Sequence, residues 1–338
     1  MRPKPCNFRD FRPQSGFSKI LVDKRYYFGI VFANPGESTV HERQASKDHG
    51  TPIDALPSQE SLATMLNSHI NALQNVRGAL GDLDAAAHAV AAAFQSGATI
   101  HYAAAGSSGL MALADASELP GTFKVPANQI RICMAGGVPA DGHMPGGTED
   151  DEAEANRAAE SVRDGDVAIV LSASGTTPYA LSFARSAQQK GAQIIAIASV
   201  ANSALLQIAD IAIALNTAAE VVKGSTRLGA GTAQKVALNM ISTQAGVLLG
   251  HVHDGLMVNL HPDNIKLRQR ARDIVAQISG VEPAVADAAL ELADYDTKLA
   301  TLIATGINSD AARQLLLQHN GRLHECLNEA AFQIETTN

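Results

Sequence analysis

The 338-residue chain predicts an α/β fold: a three-layer αβα sandwich with a parallel sheet, preceded by helices and followed by a small all-α tail. Three observations carry this. Five short apolar runs, at 99–105, 129–135, 166–172, 193–199 and 208–215, alternate with helical stretches. Runs that are apolar throughout, rather than at every second residue, belong to strands buried on both faces of a parallel sheet. Before and after this region the apolar residues recur only at helical spacing.

The elements follow in order. Residues 1–46 read as a poorly ordered extension. They hold Phe8, Phe11, Phe17, Tyr26, Tyr27, Phe28 and Phe32, half of the 14 aromatics, and the first 27 residues carry seven Lys/Arg against Asp10 and Asp23. Residues 34–57, with Asn34-Pro35-Gly36, Thr51-Pro52 and Pro57, read as a linker or an ordered loop. Ser58 is a plausible N-cap for a helix with Leu62, Met65, Leu66, Ile70 and Leu73 on one face, a candidate contact surface. A second, alanine-rich helix over 82–95 stops at Ser96-Gly97. After the strands, 226–249 reads as one long helix with Ala233, Val236, Ala237, Met240, Ile241, Val247 and Leu248 inward. The remainder shows helical periods broken by Gly280, Asp294, Gly306 and Gly321, so we expect a body over 47–262 and a helical region over 263–338.

Composition narrows the function. Hydrophobic residues make up 46% and charged residues 18%, which excludes a globally disordered chain. The net charge of −8, with no basic stripe in the main body, argues against a nucleic-acid partner. No run reaches the roughly 18 apolar residues of a membrane span. Three cysteines without a C-x-x-C pair argue for a reducing compartment, so the expected location is cytoplasmic.

Two of the predicted strands end in small hydroxylated loops, Ala104-Ala105-Gly106-Ser107-Ser108-Gly109 and Ser172-Ala173-Ser174-Gly175-Thr176-Thr177-Pro178. In open parallel sheets ligands bind beyond the carboxyl ends of the strands. Glycine lets the backbone approach a ligand, and hydroxyls beside a helix N-terminus can satisfy phosphate oxygens. Serine and glycine also serve as ordinary caps, so a single such loop would say little; two in one sheet say more. Neither loop is a Walker A or a G-x-G-x-x-G, which favours a small phosphorylated molecule over a nucleotide. His251-Val252-His253-Asp254 has the H-x-H spacing of some metal sites but lacks further ligands and reads as a loop. No G-x-S-x-G elbow supports a nucleophilic triad.

The two loops resemble those of the sugar isomerase (SIS) phosphosugar-binding domain. The segments Asp115-Ala116-Ser117-Glu118-Leu119-Pro120, Ala135-Gly136-Gly137, Glu149-Asp150, Glu220 to Arg227, Ala230 to Lys235 and Leu238 to Thr243 are similar to the N-acetylmuramic acid 6-phosphate etherases, a family related to the glucokinase regulatory protein. The resemblance runs from about residue 50 to the C-terminus. It implies an SIS-type fold, a homodimer, a phosphorylated amino sugar as partner and no cofactor. The implied reaction is lyase-type: a base removes the C2 proton of the open-chain sugar, D-lactate leaves from C3, and water adds to the unsaturated intermediate. That needs one carboxylate to take a proton and one to give it.

By resemblance Glu118 is the proton donor and Glu149 the partner acid/base. Gly106, Ser107, Ser108, Ser172, Ser174, Thr176, Thr177, Glu220 and Ser225 fall at substrate-binding positions. On residue type alone Glu118, just after a predicted helix, reads as a solvated loop carboxylate. Glu149 equally reads as a helix N-terminal acid, and Thr226 as the cap of the long helix. The chain departs from the family pattern at Leu110 and Thr176, where arginines are usual, and at Gly229, where a lysine is usual. Gly255 and Asn259 stand where the family has Asn and Asp. Leu or Thr does not replace a bidentate guanidinium. A non-catalytic phosphosugar sensor and a sugar-phosphate isomerase therefore stay open beside the etherase.

Overall fold

The computed structural model describes residues 51–337, and the extension expected over 1–46 lies outside them. Two helices, α1 (Ser58–Val76) and α2 (Leu80–Ser96), lead to β1 (Ile100–Ala104). Then come α3 (Gly106–Phe123), β2 (Ile130–Met134), α4 (Glu152–Ala158), β3 (Val167–Leu171), α5 (Pro178–Gln189), β4 (Gln193–Ala198), the single turn α6 (Ala204–Gln207) and β5 (Ile211–Ala214). The long α7 (Gly229–Leu248) follows, then the short β6 (Val252–His253) and β7 (Leu256–Met257). Five helices close the chain: α8 (Ile265–Ser279), α9 (Pro283–Leu292), α10 (Thr297–Ala304), α11 (Ser309–Gln318) and α12 (Leu323–Thr337).

All five apolar runs become strands of one parallel sheet in the order β2-β1-β3-β4-β5. The alternation of Cβ directions along each strand divides the core in two. Ile100, Tyr102 and Ala104 of β1 and Val167, Ile169 and Leu171 of β3 face one layer, packing on Leu83 and Val90 of α2, Leu119 of α3 and Ile241 of α7. Ala103, Ala168 and Val170 face the other, against Ala155 of α4, Tyr179 and Phe183 of α5 and Leu205 of α6. Each large side chain so buried contributes about 1.5–3 kcal/mol. This is the expected three-layer sandwich, and the C-terminal helices carry a core of their own around Val258, Val275, Leu290, Leu302 and Cys326.

Some local expectations need correction. Ser58 is the first helical residue of α1, and Pro57 occupies the cap position. The stripe of α1 faces outward: Leu62, Leu66, Ile70 and Leu73 are exposed, while the smaller Ala72 and Val76 pack inward. Thr226 does not cap α7, which begins three residues later at Gly229. Met240 and Val247 of α7 are exposed rather than inward, because the sheet-facing arc is filled by Ala233, Ala237, Leu238, Ile241 and Ala245. The presumed loop at 251–254 opens a hairpin. Asp254 and Gly255 take φ +48° and +75°, the positive pair that a two-residue turn needs to match strand twist.

Candidate active site

The order of the strands locates the site. From β1 the chain moves to β2 on one side, and from β3 to β4 on the other, so the direction reverses between β1 and β3. Ala104 lies directly beside Leu171 in this pair, which puts the two hydroxylated loops next to one another, one strand spacing of about 4.8 Å apart. Helices departing to opposite faces open a crevice there.

On the β1 side, α3 starts at Gly106 with no side-chain cap. Its first N–H groups, at Gly106, Ser107 and Ser108, have no helical acceptor of their own. Ser108 is buried and Ser107 half-buried. Gly106 takes φ +55°, and a Cβ built there would lie 2.6 Å from Oε1 of Glu149. Glu149, on a single turn at Thr148–Asp150, thus rests its carboxylate against the start of α3. A carboxylate in this place is favoured by the positive end of the helix dipole.

On the β3 side the hydroxyls form a linked cluster. Ser172 Oγ lies 2.8 Å from Thr177 Oγ1 and 3.3 Å from Ser174 Oγ, and accepts the Gly175 N–H at 3.0 Å. Thr176 donates its hydroxyl to Ser174 Oγ at 2.9 Å. Gly175 at φ +68° permits the turn, with the space for a Cβ taken by Ser203. Pro178 then opens α5, its missing N–H costing nothing at a first helical position.

Beyond β3, β4 and β5 lies a cavity of about 420 Å³ with Ser174, Ser199, Glu220 and Lys223 in its wall. Among the described residues Ser199 Oγ is buried with no hydrogen-bond partner. Sequence reasoning missed Ser199, whose only signal was its place at the end of an apolar run. Glu220 accepts the N–H groups of Gly229 at 3.0 Å and Ala230 at 2.9 Å. It therefore performs the capping expected of Thr226, which instead lines the cavity. Ser225 is half-buried in the same loop and does not line the cavity.

Glu118 is not brought to this place. It lies inside α3 rather than beyond it, with Pro120 also helical, and its side chain is exposed. Twelve residues below Gly106, it sits about 18 Å along the helix from the loops. What fixes that part of α3 is Asp115, which is 4% exposed. Its carboxylate accepts hydrogen bonds from Tyr102 of β1 at 3.1 Å and from Asn239 and Ser242 of α7 at 2.8 and 2.9 Å. Burial raises the Asp115 carboxyl above its ordinary value, against these three donors. Among the described residues no group of three or more His, Cys, Asp or Glu could hold a metal ion.

A parallel sheet with Ser/Thr loops at its switch point defines the class, and a SIS domain model matches residues 66–199. Two curated relatives, N-acetylmuramic acid 6-phosphate etherases of Salmonella choleraesuis and Salmonella typhimurium, are each 38% identical over 278 residues, covering 81% of this chain and 94% of the relative. The chain belongs to the N-acetylmuramic acid 6-phosphate etherase family. Among solved structures, a phosphoheptose isomerase from Francisella tularensis is similar at TM-score 0.43 and 17% identity, over 57% of this chain and 98% of that one.

Proposed function

We propose that this chain is a cytoplasmic etherase cleaving the D-lactyl ether of N-acetylmuramic acid 6-phosphate to N-acetylglucosamine 6-phosphate and D-lactate, acting as a homodimer. The observation that carries it is the seat of Glu149 at Gly106, beside the Ser172-Ser174-Thr177 cluster across the switch point. The hydroxyls and the free N–H groups of α3 receive the phosphate. Glu149 then lies within reach of the sugar's C2 proton, and proton abstraction makes an enolate from which the C3–O bond breaks. The departing lactate oxygen takes a proton from an acid. Water adds across the resulting C2–C3 double bond, its oxygen to C3 and a proton to C2.

The acid at the family's position is Glu118, and its distance from the loops of its own chain supports a shared site: Glu118 of one protomer serves the loops of the other. The exposed stripe of Leu62, Leu66, Ile70 and Leu73 on α1 is apolar surface suited to such a pairing.

D-lactate release from the substrate tests the reaction. Glu118→Gln and Glu149→Gln should each lower kcat by about 10²–10⁴-fold. Co-refolding the two inactive variants should restore about a quarter of native activity, since half the dimers are mixed and each has one intact site. Undiminished release in either variant refutes the assigned roles; no recovery on mixing refutes the shared site. A second reading follows from Leu110, Thr176 and Gly229, which leave Lys223 as the single cation in the wall of the cavity among the described residues. A phosphosugar sensor predicts thermal stabilisation by the sugar phosphate with no turnover.

A further inference from the structure

At the opposite end of α7 from Glu220, two cavities of about 540 and 520 Å³ adjoin, sharing Asn259 and Asn320 in their walls. They lie between the sheet's N-terminal end and the C-terminal helices, and each has the size of a small-molecule pocket. Their charge is unbalanced. Lys124 lines the first, Lys298 and Arg313 the second, and among the described residues the single carboxylate in either wall is Asp296. That carboxylate is committed: Oδ2 pairs with Lys124 at 3.3 Å, and Oδ1 accepts the Leu299 N–H at 3.0 Å. Arg313 has no ion pair among the described residues.

Lys298 is the buried member, 6% exposed. Its ammonium has three donors and one hydrogen-bond acceptor, Gly321 O at 2.7 Å. Nearby His251, in the wall of the first cavity, keeps its Nδ1 buried with no hydrogen-bond partner among the described residues. The buried ammonium has Asp296 as its countercharge, a carboxylate it shares with Lys124, so a further anion in the cleft would complete its neutralisation. The excess over Asp296 is two positive charges, which the roughly −2 of a phosphate monoester at neutral pH would balance.

We propose that this cleft is a second anion site, one that takes the phosphate group of a small phosphorylated molecule between Lys298, Arg313 and Lys124. It stands apart from the strand-end loops and does not depend on the etherase reading. Equilibrium dialysis of the full chain with inorganic phosphate at low ionic strength counts its sites, and the expectation is two per chain. Lys124→Ala/Arg313→Ala, which changes only exposed side chains, should weaken one class by about ten-fold or more and leave the other. Asn259→Asp, which puts a carboxylate into the wall the two cavities share, should weaken that same class. Ser172→Ala/Ser174→Ala should weaken only the other class. Binding unchanged in both Lys124→Ala/Arg313→Ala and Asn259→Asp overturns the proposal. So does phosphate binding that responds only to the serine variants, or no phosphate binding at all. A single class weakened by Asn259→Asp and indifferent to the serines would uphold it while removing support from the strand-end site.

Discussion

Gly106→Ala separates the two jobs of one residue. At φ +55° an alanine carries left-handed strain of about 1–2 kcal/mol. With about 2–4 °C of Tm per kcal/mol for a domain of this size, melting should fall by roughly 2–8 °C. The added Cβ would also stand 2.6 Å from Glu149 Oε1 and 3.7 Å from its Cδ. The contact is with the end of a flexible side chain, so the carboxylate can swing away, at little further cost in stability. Swinging away by an ångström is what the chemistry does not tolerate, and such misplacement costs about 10²-fold in rate. Gly165→Ala supplies the control: φ is +85° there with nothing within 4 Å of the new Cβ, so it carries similar strain far from the loops. Melting curves and D-lactate release should show comparable Tm losses in the two variants and a kcat loss in Gly106→Ala alone. Equal kcat in both would refute the placement of Glu149 as a reacting group.

Asp115→Ala strands the hydroxyls of Tyr102 and Ser242 and the amide of Asn239, and should cost about 3 kcal/mol in urea unfolding; a loss under 1 kcal/mol would mean these donors find water. Stability should also decline as pH falls from 6.5 toward 4. Burial, with Lys298 nearby, pushes the His251 imidazole down to about 4, so the unfolded chain binds the proton first. This contribution is fully present above pH 6.5 and lost progressively below it, about 3 kcal/mol by pH 4. Buried His101, also lowered by burial against its Asp166 partner, acts in the same direction, while Asp115, raised, opposes it nearer pH 4. His251→Phe should flatten the profile measured by urea unfolding, and an unchanged slope would exclude His251 as the titrating group.

The order of helices and strands was legible because each strand is apolar along its whole length and each break carries Gly, Pro or Asp; no longer-range information was needed. Helix faces were less so. The Leu62, Leu66, Ile70 and Leu73 stripe marks α1 as amphipathic, but spacing does not say whether the partner is this chain's core, and here the small Ala72 and Val76 take that contact. The cap of α7 was misread for a related reason. Thr226 is the right residue type nearby, yet Glu220 reaches the free N–H groups from nine and ten residues away. The resemblance supplied Glu118 and Glu149 together, and nothing in their spacing foretold that α3 would carry one of them so far from the loops.

What the sequence by itself determined is therefore local and periodic: five buried strands, their order along the chain, two hydroxylated loops at strand ends, and a family pattern with named departures. Tertiary structure alone decided which of these meet. Strand order placed β1 against β3 and so joined the loops. The fold of the 136–150 segment set Glu149 on Gly106, and the packing of the C-terminal helices gathered Lys124, Lys298 and Arg313 from separate elements around one cleft. The physical reason is range. Periodicity and capping act over a turn or two of chain, whereas charges and carboxylates act over ångströms of space between residues that may be 200 positions apart, a separation that only the folded chain removes.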